Sequence, residues 1–183
     1  MGIHGRRSGG FTLLEVMIAL AVLATAVFGF ISAILHTSRL NAANRETLAA
    51  MRGAERMIET LRDTDFDKVF ASYNRVPSDD PPPGYGTAPG SDFDVEGLSP
   101  VPGDPDGKCG KILFPTDSSG GQLREDTVDP DLLMPRDLDG SGTIDRVDVS
   151  AGCKILPVEV RIDGLGIQGA RSWTYRYVFL KRE

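Results

Sequence analysis

One long apolar stretch near the start of the chain most limits what it can fold into. From Phe11 to Leu35 the only ionisable side chain is that of Glu15. As an α-helix this stretch would rise roughly 37 Å, enough to cross a hydrocarbon core of ~30 Å. Arg6 and Arg7 stand just before it and favour a cytoplasmic N-terminus. The sequence therefore predicts a single membrane span with the rest of the chain on the other side.

Two general interpretations of this stretch leave features unexplained. An ordinary secretory signal peptide would be cut at the small residues Ala24-Thr25-Ala26 and would release an exported binding protein. However, the apolar run continues beyond that site to Leu35. A plain membrane anchor explains the length but not Glu15, because a carboxylate within a span costs on the order of 2.5–3.5 kcal/mol. A third interpretation gives Glu15 a partner.

The segment Gly10-Phe11-Thr12-Leu13-Leu14-Glu15 closely resembles the class III signal of type IV prepilins and of the pseudopilins of type II secretion. The sequence of residues 11–23 especially resembles that of minor pilins of the PilV group and of minor pseudopilins. The resemblance implies that a prepilin peptidase cuts between Gly10 and Phe11, which removes residues 1–10, and then methylates the new amine of Phe11. It also implies that Glu15 pairs with the N-terminal amine of a neighbouring subunit, since a charge in an apolar filament core is tolerable when paired.

The same resemblance sets expectations for location and partners. It implies a single-pass protein of the bacterial inner membrane whose head lies in the periplasm or outside the cell, and which later joins a pilus or pseudopilus. The expected partners are the prepilin peptidase, other pilins or pseudopilins, the inner-membrane assembly platform and the membrane itself. The residues leave open whether the system serves pili, type II secretion or DNA uptake.

The helical pattern continues beyond the membrane stretch. No proline interrupts residues 11–76, which predicts a single helix of about sixty residues, on the order of 90 Å long. Residues 11–35 would form the membrane and filament-core part, and residues 36–76 an amphipathic continuation. A mostly apolar stripe along the continuation is formed by Leu40, Thr47, Met51, Ala54, Ile58 and Leu61.

A connection rich in proline and glycine, residues 77–92, separates the helix from a globular head at residues 93–183. Alternating β-branched and aromatic residues predict strands at 93–96, 111–114, 156–162 and 172–180. The last two would form a hairpin with a long glycine-rich loop at residues 163–170. An aromatic row on the last strand is expected in the core: Trp173, Tyr175, Tyr177 and Phe179. The predicted fold is α+β and pilin-like, with the long helix packed on a small antiparallel sheet.

An acidic loop in the head has the spacing of an EF-hand-type calcium site. Its oxygen ligands would be Asp137, Asp139, Ser141, the carbonyl of Thr143, Asp145 and Asp148. Gly142 stands at the sixth position, where the chain must turn sharply. The loop departs from the pattern at Asp148, where EF-hands usually have glutamate. The sequence favours a Ca²⁺ site here over an ordinary Asp/Gly-rich surface turn.

The remaining features argue for a structural or binding protein rather than an enzyme. Cys109 and Cys153 lie beyond the span and predict a disulfide if the head is exported, with two buried thiols as the alternative. The net charge of −6 disfavours direct nucleic-acid binding. The two histidines, His4 and His36, lie outside the head, and no nucleophile or phosphate-binding motif is present. The head could also be a calcium-dependent adhesive or ligand-binding module displayed at a filament tip.

Overall fold

The computed structural model describes residues 12–182. The chain divides into two compact units, Met1–Ala42 and Ala43–Glu183. The first described element is α1 (Leu13–Asp63), which begins in the first unit. In residues 12–41 every side chain is exposed, whereas α1 buries Ala50, Ala54 and Leu61 further along.

The predicted sixty-residue helix is interrupted. α1 ends at Asp63, and a second helix, α2 (Phe66–Tyr73), follows after a two-residue break. The prediction that one helix continues to residue 76 is therefore wrong. Three acidic residues within five positions, Asp63, Asp65 and Asp67, explain the break. Aspartate has low helix propensity and is unfavourable at the negative end of a helix dipole, whereas Asp67 stabilises the first turn of α2.

Four strands form one antiparallel sheet in the order β1-β2-β3-β4. The strands are β1 (Asp92–Phe93), β2 (Gly110–Leu113), β3 (Ile155–Gly166) and β4 (Gly169–Leu180). All four predicted strands exist, although β1 is shorter than predicted and lies one residue earlier. Ser91, which precedes β1, accepts a hydrogen bond at its carbonyl from the backbone N–H of Ile112 at 2.7 Å.

The hairpin between β3 and β4 differs from the predicted long loop. Gly166 pairs with Gly169, so only two residues form the turn and the strands run through most of the segment expected to be loop. One of its glycines lies where another chain segment approaches the backbone closely. A Cβ on Gly166 would clash with the carboxylate of Glu46, whereas one on Gly164 would lie 3.5 Å from Leu98, an ordinary contact distance.

The core of the head lies between the helices and one face of the sheet. It is formed by Ala50, Ala54, Leu61, Val69, Phe70, Tyr73, Leu156, Val158, Val160 and Ile162, among others. Trp173, Tyr175 and Phe179 pack against it, which confirms the predicted core face of β4 for these three. The predicted stripe of α1 is confirmed in its C-terminal part, where Ala54 and Leu61 are buried and Ile58 packs against the core. It is wrong further back, because Met51 is 46% exposed and Ala50 is buried instead. The fold is α+β, a long N-terminal helix with its C-terminal part packed on a small antiparallel sheet, as predicted.

Candidate functional site

The predicted processing segment is described only from Thr12 onward, so the predicted cleavage site at Gly10 and Phe11 lies outside the described residues. Glu15 lies in the first turn of α1. Its backbone N–H donates to the side-chain oxygen of Thr12 at 3.3 Å, so Thr12 acts as the N-cap of the helix. A carboxylate in a first turn interacts favourably with the positive end of the helix dipole. The charge of Glu15 is therefore at a position of the helix where a carboxylate is favourable.

The helix that follows Thr12 is suited to an apolar environment. One 18-residue window of α1 has a mean hydropathy of 2.6 and no residue buried within the protein, so α1 is long and apolar enough to cross a membrane. A signal sequence would pass the same test. Large apolar side chains here, such as Phe28 at 72% exposed and Phe30 at 68%, lack a covering from the described chain. Soluble monomers rarely leave such a continuous apolar surface uncovered.

The acidic loop of the head is organised by a buried carboxylate that lies outside it, that of Glu125. The side chain is fully buried. Its Oε1 accepts backbone N–H bonds from Leu138 at 2.7 Å and Asp139 at 3.2 Å, and its Oε2 accepts one from Asp145 at 2.7 Å. Glu125 therefore connects the start of the loop with its ninth residue, Asp145.

Glu125, Asp137 and Asp139 each present a carboxylate oxygen, and these oxygens lie within 4.8 Å of one another. Backbone N–H bonds from Gly142 and, to a lesser extent, Gly140 hold the pKa of the Asp137 carboxyl below its usual range. Three carboxylates at such distances repel one another, and the backbone N–H groups that donate to Glu125 and Asp137 offset part of that repulsion. Oxygen ligands of this charge and density suit a hard divalent cation such as Ca²⁺.

Three other predicted ligands, Ser141, Thr143 and Asp145, contact one another within the loop. The hydroxyl groups of Ser141 and Thr143 lie 3.1 Å apart, and the hydroxyl of Thr143 is 3.3 Å from the carboxylate of Asp145. The carbonyl of Thr143 lies 3.4 Å from the hydroxyl of Ser141. Gly142 has a φ of +87°, which is the sharp turn expected at the sixth position.

Asp148, predicted at the last ligand position, faces another segment. One of its oxygens accepts from the backbone N–H of Leu123 at 3.1 Å and from that of Ser150 at 3.0 Å, and the other accepts from the Ser150 hydroxyl at 3.0 Å. Glu125, which sequence reasoning missed, lies with Asp137 and Asp139 instead. No local spacing connects Glu125 to the loop, since the contact depends on how residues 115–125 fold back.

The predicted disulfide between Cys109 and Cys153 is not formed, and both thiols are free and buried. The carbonyl of Cys109 accepts from the backbone N–H of Asp163 at 2.7 Å, so Cys109 lies opposite Asp163 on β3. Cys153 precedes β3 and is ten residues from Asp163 along an extended segment, on the order of 30 Å. A disulfide requires Cα atoms within about 7 Å of each other. The sequence could not exclude the pairing because it depends on strand register.

Comparison with known proteins bears on the N-terminal segment alone. Residues 5–35 match the family model of the prokaryotic N-terminal methylation motif. The chain carries a prepilin-type methylation motif. No curated protein and no solved structure matches the chain. The motif and the apolar helix together support a type IV pilin-like, membrane-anchored protein, as the sequence predicts.

Proposed function

We propose that this chain is a minor subunit of a type IV pilus or pseudopilus. It is made as a precursor in the bacterial inner membrane, with its N-terminus in the cytoplasm and its head outside. The match of residues 5–35 to the methylation motif is the observation that carries this proposal. The exposed apolar helix supports it, because the apolar side chains of residues 12–35 need lipid or other helices as a covering.

In this proposal the prepilin peptidase cuts between Gly10 and Phe11 and methylates the new amine. Glu15 then pairs with the N-terminal amine of a neighbouring subunit. The carboxylate of Glu15 lies in the first turn of α1, only four residues along the sequence from the new terminus. Removing the pair from water costs several kcal/mol per ion, and mutual attraction offsets that cost only when both partners are present. Pairing therefore favours assembled over isolated subunits.

The mature N-terminus tests this proposal. Intact mass and N-terminal sequencing of the full chain from its native membrane, with and without the peptidase, should give N-methylated Phe11 only when the peptidase is present. The chain offers a matched pair of variants: Gly10→Val should block cleavage, while Gly9→Val should leave it intact. A mature chain that begins near Val27, or one that keeps its leader in both strains, would refute the proposal.

We further propose that the acidic loop of the head binds Ca²⁺. The cluster of Glu125, Asp137 and Asp139 favours this. By the EF-hand spacing, Ser141, the Thr143 carbonyl and Asp145 would complete an oxygen-only ligand set. Asp148 would have to leave Leu123 and Ser150 in order to join. Bound Ca²⁺ would neutralise the clustered carboxylates and order the surface between residues 125 and 148. Calcium titration of the full chain, with thermal unfolding as the second readout, should show saturable binding and stabilisation; the absence of both would exclude the site.

A further inference from the structure

The tip of the β3–β4 hairpin is fastened to α1 by one side chain, that of Glu46. The backbone N–H of Ile167, in the two-residue turn, donates to Glu46 Oε1 at 2.9 Å. In the part of the chain that the structure describes, Glu46 is the first residue along α1 whose side chain hydrogen-bonds outside the helix. The helix is therefore coupled to the turn of the hairpin through this one hydrogen bond.

The second half of the contact is incomplete. Glu46 Oε2 faces Nη1 of Arg171 on β4 at 3.9 Å, which is too long for a hydrogen bond. Across residues 12–182, these two atoms are the buried side-chain polar atoms that lack a hydrogen bond. A donor and an acceptor left in this state carry a free-energy cost that they would not carry in water. The contact is thus stabilised by one hydrogen bond and opposed by two unsatisfied groups.

Little apolar packing holds the tip of the hairpin in place. Ile167 is 67% exposed and Leu165 is 42% exposed. The N–H of Leu165 donates to the carbonyl of Ser99 at 2.8 Å. Beyond Leu165, the turn makes only one hydrogen bond to another segment among the described residues, that of Ile167 with Glu46. A segment with so few buried contacts opens locally at a low cost in free energy.

Gly166 makes the approach of Glu46 possible. A Cβ at this position would clash with the carboxylate, whereas a Cβ on Gly164, two residues earlier in β3, would meet its neighbours at an ordinary contact distance. Arg171 has a second partner, because its guanidinium lies 5.6 Å from the centre of the Trp173 ring. Arg171 therefore keeps a favourable contact when Glu46 moves away.

We propose that Glu46, Ile167 and Arg171 form a latch that opens and closes between α1 and the tip of the hairpin. In the closed state Glu46 holds the turn through the N–H of Ile167. In the open state the Glu46 carboxylate is solvated, Arg171 stays on the Trp173 ring, and the core of the head remains packed. The latch lets residues 43–49 of α1 move relative to the hairpin tip without unfolding of the head. It goes beyond the proposed pilus function and does not depend on it.

Amide hydrogen exchange on the full chain in detergent micelles tests the latch at Ile167. Gly166→Ala should open it, because the added methyl displaces the Glu46 carboxylate, and Gly164→Ala is the matched control. Since the open state loses a hydrogen bond to a charged acceptor, the Ile167 amide should exchange at least roughly tenfold faster in Gly166→Ala and at the wild-type rate in Gly164→Ala. Glu46→Ala should reproduce the acceleration from the helix side. Glu46→Gln keeps an oxygen for the Ile167 N–H and should accelerate exchange less.

Exchange in the core of the head separates a latch from general loosening. Val160 lies in the middle of β3 and is paired on both sides, so its amide should keep the wild-type rate in all four variants. Equal Ile167 rates in the wild type, Gly166→Ala and Glu46→Ala would overturn the proposal. Faster exchange at Ile167 and Val160 together would also overturn it, because the contact would then stabilise the whole head rather than open locally.

Discussion

Residues 12–41 differ from residues 43–182, which comprise the head and the helical segments packed on it, in where their apolar side chains lie. In the first segment every side chain is exposed, including phenylalanines, leucines and isoleucines in continuous rows. In the head twenty apolar residues are buried against one another, four of them in β3: Leu156, Val158, Val160 and Ile162. The N-terminal segment thus depends on other molecules for its apolar contacts, whereas the head supplies its own.

The difference implies that the two regions respond to different changes. A substitution in the N-terminal segment should alter insertion or assembly and leave the stability of the head unchanged. A substitution in the head core should lower its free energy of unfolding and leave processing unchanged.

The largest effect is expected at Glu15. Replacing it with alanine removes one charge of the proposed pair and leaves the neighbouring amine unpaired in an apolar environment, which costs about 3–5 kcal/mol. Filament incorporation, measured by shearing and immunoblotting, should fall by more than a factor of ten. Glu55→Ala is the matched control, since Glu55 is exposed on the same helix within the head. Normal incorporation of Glu15→Ala, or a changed melting temperature of its head, would contradict the expectation that the N-terminal segment governs assembly and not the stability of the head.

The converse change is Leu61→Ala in the head. Leu61 is fully buried between α1 and the sheet, and such truncations cost about 2–5 kcal/mol. Urea unfolding of the full chain in micelles should show this loss while the mature N-terminus stays at Phe11. Leu48→Ala is the control, because Leu48 is 50% exposed and its truncation should change stability by no more than about 0.5 kcal/mol. Similar losses from both variants would mean that the core is not placed as described.

The two regions also differ in how far the sequence predicts them. The N-terminal segment is defined by local features, a motif and an apolar run, so the helix and Glu15 in its first turn follow directly from the sequence. In the head, glycines at 164 and 166 indicated a loop, but both lie within β3, where Leu98 and Glu46 approach the backbone. Those contacts join residues far apart in sequence. Such contacts cannot be predicted from a local sequence pattern.

The acidic loop shows the same limit within one site. The sequence spacing of Asp137 and Asp139 is sufficient to predict that they lie together. Gly140 and Gly142, both with positive φ, set the tight turn of the loop that contains them. Glu125 was not predicted, because its place depends on three backbone N–H groups contributed by a loop twelve or more residues later. The ligands within the loop could be predicted from the sequence, whereas the contact of Glu125 with the loop depends on the fold.

A calcium titration can sharpen this distinction. Glu125→Gln removes a negative charge and puts an amide donor at an oxygen position that receives at least one backbone N–H, so Ca²⁺ affinity should fall roughly tenfold or more. Asp148→Asn should change it by less than about twofold, because the Asp148 carboxylate already serves Leu123 and Ser150. Isothermal titration of the full chain measures both. A larger effect of Asp148→Asn would restore the ligand set predicted from EF-hand spacing.

The smallest effect is expected for the two cysteines, and it tests the register of the head. Because Cys109 and Cys153 are far apart, the intact mass of the isolated protein should be that of the reduced chain. Burial raises the pKa of the Cys153 thiol to about 11, and the thiol donates a hydrogen bond to the backbone carbonyl of Ile155. Alkylation of the native protein should therefore stay slow until the pH approaches that value. Since this pKa is raised above its ordinary value of 9.0, the thiol's contribution to stability is complete below pH 9 and is lost as the pH rises toward 11. Cys109→Ala should leave the labelling of Cys153 unchanged; a newly reactive Cys153 would show that the two had been bonded and that the β2–β3 register is wrong.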